Sequence, residues 1–148
     1  GRALAFGQRD GRWVLDTPVN ERAGAGGLYT NIPDLLKWDV NFYTGTVGGA
    51  DLLKRLHTVG RLNGGKPLTY AWGLQIGEYR RLPIVEHSGS LGGYRAHLLR
   101  IPSQHTSVAL LCNSSTIAPS APVRSQHARD SSGATLSWDF TPFSTVSP

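Results

Sequence analysis

Chemistry in this sequence is densest at "VEHSGSLGGY", where His87 ends an apolar run and Gly89, Gly92 and Gly93 follow. An imidazole there can accept or donate a proton near neutral pH. A histidine beside glycines is either a catalytic edge or an ordinary polar cap on a turn. Other groupings can be drawn on paper. His87 with Asp34 or Asp39 and one of several serines would make a triad, but no spacing singles one out. His97 and His105 could meet across a hairpin at a metal, although no His-x-x-x-His pair exists. Tyr70, Trp72, Tyr79 and Tyr94 form either a substrate-facing aromatic set or, as expected for strand residues, core and sheet-face packing. Cys112, the single cysteine, follows Leu110-Leu111, which suits a buried inert thiol and rules out an internal disulfide.

The elements that must position these residues follow from local signals. "ALAF" and "WVL" flank Asp10-Gly11, a hairpin turn. A glycine-rich loop then leads to a helix. Asn31 is its N-cap, Pro33 lies in its first turn, Asp34 favours the helix dipole and Gly45 stops it. Leu35, Trp38 and Phe42 share one face of that helix, with Leu36, Val40 and Tyr43 alongside. A shorter helix is expected from about Asp51 to Thr58. Next come "LTYAWGLQIGEY" and "LPIVEHSG", a hairpin turning near Arg80-Arg81. "YRAHLLRIP" and "TSVALLCN" form another, turning through Pro102-Ser103-Gln104-His105. Four antiparallel strands after two helices predict an α+β fold, with helices packed on an antiparallel sheet. Residues 116–148 are rich in Ser, Thr and Pro without periodicity, so a disordered tail is expected after a domain over residues 1–115.

The 148 residues suit one domain, and 39% of them are apolar. No apolar run is long enough to span a membrane. The opening "GRALAFGQRDGRW" has too short an apolar stretch for a signal peptide, and residue 1 is not Met, so the sequence is expected to begin inside a longer protein. The net charge of +5 comes from scattered arginines with no basic run, a solvated surface and not a nucleic-acid footprint.

In order, "GAGGLYTNIPDLLKW", "YAWGLQIG" and "EHSGSLGGYRAHLLRIPSQHTSVALLCN" resemble the C-terminal part of the serine β-lactamase-like family. That family holds class C β-lactamases, DD-peptidases (penicillin-binding proteins) and related esterases. The resemblance covers about residues 1–115 and implies a partial β-lactamase/transpeptidase-like fold. It implies that His87-Ser88-Gly89 stands where the family has Lys-Thr-Gly, on a sheet strand walling the active site. His87 would then hydrogen-bond or offer positive charge to an anionic group of a small acyl substrate. Gly89, without a Cβ, would let the acyl group lie along the strand. The Ser90 N–H would be one of two oxyanion-hole donors, each contributing about 3 kcal/mol to the transition state. On this view His87 lines a concave surface and not the core. No cofactor is implied.

The family's nucleophile lies in Ser-x-x-Lys. Here the residues three before Lys37, Lys54 and Lys66 are Asp34, Asp51 and Asn63. Tyr29-Thr30-Asn31 matches the letters of the family's Tyr-x-Asn motif, but it lies too near His87, and Asn31 is better explained as the helix cap. The tail also lacks the closing amphipathic helix of the family, which would leave sheet surface open to self-association. Three readings stand: a piece of a serine hydrolase, a binding remnant without chemistry, or a hydrolase using other residues.

Overall fold

The computed structural model describes residues 1–19 and 24–118. Its elements run β1 (Phe6–Arg9), β2 (Arg12–Leu15), α1 (Ile32–Thr44), α2 (Gly49–His57), β3 (Gln75–Tyr79), β4 (Leu82–Leu91), β5 (Tyr94–Ile101) and β6 (Thr106–Cys112). β1 and β2 form a separate hairpin; β3-β4-β5-β6 is an antiparallel meander in that order. This is the expected mixed α+β architecture. No helix among the described residues is long and apolar enough to cross a membrane.

Local chemistry accounts for the element boundaries. The Asn31 carboxamide oxygen accepts from the Asp34 N–H at 2.8 Å, and Gly45, at φ 64°, donates its N–H to the Asn41 carbonyl. The buried Asn41 side chain bonds Val47 in both directions, at 2.7 and 3.2 Å, fixing the step from α1 to α2. Asp10-Gly11 and Arg80-Arg81 both adopt positive φ, as two-residue hairpin turns of the primed type require.

One expected strand is shorter than its sequence suggests. Of "LTYAWGLQIGEY", only Gln75–Tyr79 is strand. Gly73 takes φ 77°, the Ala71 N–H donates to the Leu74 carbonyl, and Tyr70 bridges back to Gln75. The aromatic and β-branched residues that read as strand therefore lie on a folded-back turn.

The core sits where α1 and α2 meet one face of the sheet: Phe42, Leu74 and Val85 with Leu53, Leu56 and Ile76. Burying a side chain such as Phe42 contributes about 1.5–3 kcal/mol. A polar clamp joins the same layers. Arg100, only 1% exposed, donates to the Asp39 carboxylate and lies over the rings of Phe42 and Tyr43 at 4.2 and 4.8 Å. The face of α1 toward the sheet is thus Leu35, Asp39 and Phe42, while Leu36, Val40 and Tyr43 are exposed.

Candidate functional site

The stretch His87 to Ser90 lies inside β4, which runs on to Leu91, so it is strand and not turn. Its partners on β5 are Leu98, His97, Ala96 and Arg95 in that order. Strand alternation puts the side chains of His87 and Gly89 on the face shared with Val85 and the helices. Ser88 and Ser90 project to the other face, leaving only their main-chain atoms for the first. On its other edge β4 pairs with β3 only as far as Glu86 opposite Gln75. Among the described residues, His87 to Leu91 therefore has no ladder partner on that edge. A half-open strand edge of this kind can take another extended backbone.

The glycines here have different reasons to exist. At Gly92, φ is 51° and a Cβ would stand 2.7 Å from the Asp16 carbonyl oxygen. At Gly93 a Cβ would stand 2.6 Å from the Phe6 main-chain N and O. The β1–β2 hairpin lies across this turn: Gly93 N–H donates to Asp16, Phe6 N–H to Asn113, and Ser115 N–H to Phe6. Gly89 is exposed, its φ lies outside the positive region, and among the described residues a Cβ would touch only Ala96 Cβ at an ordinary 3.5 Å. Nothing among the described residues needs a glycine at position 89.

A concavity of about 1530 Å³ opens beside this stretch. Gly89, Ser90 and Tyr94 line one side, and Tyr29, Asn31 and Asp34, at the start of α1, line the other. His87 and Ser88 are exposed and lie outside its lining, on the neighbouring part of β4. His87 Nε2 lies 2.9 Å from the Tyr70 hydroxyl, with ring centroids 5.8 Å apart. That contact was invisible in sequence, where Tyr70 and Trp72 read as packing residues. Instead they are 46% and 65% exposed. Tyr94 packs edge-on against Tyr29 and donates to the Ala3 carbonyl; Tyr79 is half-buried beside Arg80.

The paper triad is not assembled among the described residues. His87 meets Tyr70, Asp39 is engaged by Arg100, and Asp34 bonds Lys37 at 2.8 Å. The Lys37 ammonium, hydrogen-bonded to Asp34, holds that exposed carboxyl below its ordinary range, with a smaller contribution from Asn31. Asn31 caps α1 as expected, while the Tyr29 ring carries Arg2 at 4.5 Å and its hydroxyl reaches the Pro18 carbonyl at 3.5 Å.

His97 and His105 do not converge. His97 is 4% exposed and contacts Glu86, itself 5% exposed, at 3.2 Å; His105 stacks on Tyr43. No group of three or more metal-ligating side chains occurs among the described residues. Cys112 is half-buried and lines the concavity.

Three likenesses bear on this geometry. A family model described as Beta-lactamase matches residues 3–132. A D-aminopeptidase from Gluconobacter oxydans (strain 621H) is 32% identical over 91 residues, covering 61% of this chain and 17% of that protein. The solved structure of the octameric penicillin-binding protein homologue from Pyrococcus abyssi superposes with a TM-score of 0.69 at 26% identity. That match covers 83% of this chain and 29% of the other, so the chain spans less than a third of either relative.

Proposed function

The chain belongs to the Beta-lactamase family, and from that premise we propose that β4 is the acyl-binding wall of a serine hydrolase. The observation that carries the reading is Gly89. A glycine inside a strand costs about 0.5–1 kcal/mol relative to alanine, and here no neighbour among the described residues demands it. Close approach of a ligand backbone is one reason for a strand to leave out the Cβ. An acyl group laid along the open edge from His87 to Leu91 would place its carbonyl oxygen near the Ser90 N–H. That N–H would stabilise the oxyanion as charge develops, and His87 would hold an anionic or carbonyl group at the other end. The D-aminopeptidase relative favours an amide next to a D-residue as the substrate class.

The nucleophile of this reaction would come from residues outside the 148, because no Ser-x-x-Lys occurs among them. The same absence favours a second reading, a wall that binds acyl groups without turning them over.

The chain alone should therefore bind and not acylate. Incubation with benzylpenicillin or a fluorophosphonate should leave the intact mass unchanged. Titration with N-acetyl-D-alanyl-D-alanine should move the amide resonances of Gly89, Ser90 and Leu91. A stoichiometric adduct on one serine would contradict the placement of the nucleophile, and shifts confined elsewhere would contradict the wall.

A further inference from the structure

We infer that Tyr70 is a positioning residue for His87: its hydroxyl donates to Nε2 and so fixes the neutral ring as the Nδ1–H tautomer. The inference deepens the acyl-wall reading and takes its purpose from it. The two rings are joined by a 2.9 Å contact between Tyr70 Oη and His87 Nε2. A phenol is the better donor and an imidazole nitrogen the better acceptor, so O–H···N is favoured over N–H···O. With Nε2 accepting, the proton of the neutral ring must sit on Nδ1. Among the described residues Nδ1 has no hydrogen-bond partner, so its N–H remains for a ligand.

Tyr70 is suited to this task because its backbone is held on both sides. Its carbonyl accepts from the Gly60 N–H at 3.0 Å, it bridges to Gln75, and the Thr69 carbonyl accepts from Ile76 at 2.7 Å. Ala71 and Leu74, which close the turn, are buried. A side chain that is half in solvent is thereby kept in one place at the open edge of β4. The functional consequence is a donor that persists. A protonated ring offers Nδ1–H to a ligand oxygen, and a neutral ring locked by Tyr70 still offers it. A ring without Tyr70 would exchange between tautomers and lose that donor part of the time.

The test uses the whole chain labelled with 15N at histidine, with His87 assigned from the signal lost in His87→Ala. Two-bond proton–nitrogen correlations at a pH where the ring is neutral report which nitrogen carries the proton. Wild type should show Nδ1–H. Tyr70→Phe keeps the ring and every backbone bond, and should shift His87 toward the Nε2–H form that a free side chain prefers. An Nε2–H wild-type ring, or a tautomer unchanged by Tyr70→Phe, would overturn the inference. The wild-type spectrum decides the matter even if the variant folds poorly. Because this readout needs no ligand, it fails separately from the acyl-wall reading, whose failure is the absence of amide shifts at Gly89 to Leu91.

Discussion

Asp39→Ala should cost about 3–5 kcal/mol of folding stability, the range for removing one partner of a buried ion pair. Arg100 is 1% exposed and Asp39 8% exposed. The pair spans the helix and sheet layers, so neither charge can regain water without undocking α1. With the carboxylate gone, the guanidinium keeps the Phe42 and Tyr43 rings and a 3.4 Å contact to the Asp39 main-chain oxygen. None of these replaces the lost countercharge. Asp39→Asn should recover part of the loss, because a carboxamide oxygen can still accept. Urea melts of both variants check this. A loss under about 1 kcal/mol for Asp39→Ala would mean that water reaches Arg100 and that the pair behaves as a surface bridge.

Gly93→Ala should cost about 1–3 kcal/mol, as overpacking a filled site does, and should loosen the β1–β2 hairpin. The added methyl would overlap the Phe6 main chain, which cannot swing aside as a side-chain tip can. The hydrogen bonds of Phe6 and Ser115 that dock the hairpin depend on that approach. Gly89→Ala is the matched control: the same methyl, in a strand, meeting only Ala96 among the described residues. It should be neutral or slightly stabilising. Amide exchange of Phe6 and Ser115 separates the two variants. Protection unchanged in Gly93→Ala would contradict the docking of the hairpin.

Much of this architecture is legible in local residues. Asn31, Pro33 and Gly45 bound α1 because caps act within a turn of the chain, and Asp10-Gly11 and Arg80-Arg81 mark hairpins because their own backbones must bend. Features set by distant partners were hidden. Arg100 and Asp39 are 61 residues apart. The only hints were a carboxylate on the core-facing side of α1 and an arginine inside an apolar strand run. Gly92 and Gly93 read as simple turn residues, since nothing nearby indicates that a hairpin from the start of the chain lies on them. The run 68–74 has strand composition, and a turn at Gly73 overrides it. His87 could be placed at an apolar edge, but its contact with Tyr70 arises only from that folded-back turn. The expectation for the Ser/Thr/Pro-rich tail falls almost wholly on residues 119–148, outside those described.

Gly89→Val, with His87→Ala beside it, tests the acyl wall most directly. Valine suits a strand and the site has room for a Cβ, so folding should change by less than about 1 kcal/mol, as exposed substitutions do. The branched side chain would nonetheless occupy the place of the ligand backbone, and His87→Ala would remove the donor beside it. Denaturant melts paired with titration of N-acetyl-D-alanyl-D-alanine should show near wild-type stability and binding lost in Gly89→Val and weakened in His87→Ala. Both variants losing stability while the wild-type affinity persists would show that His87-Ser88-Gly89 serves the sheet and not a ligand.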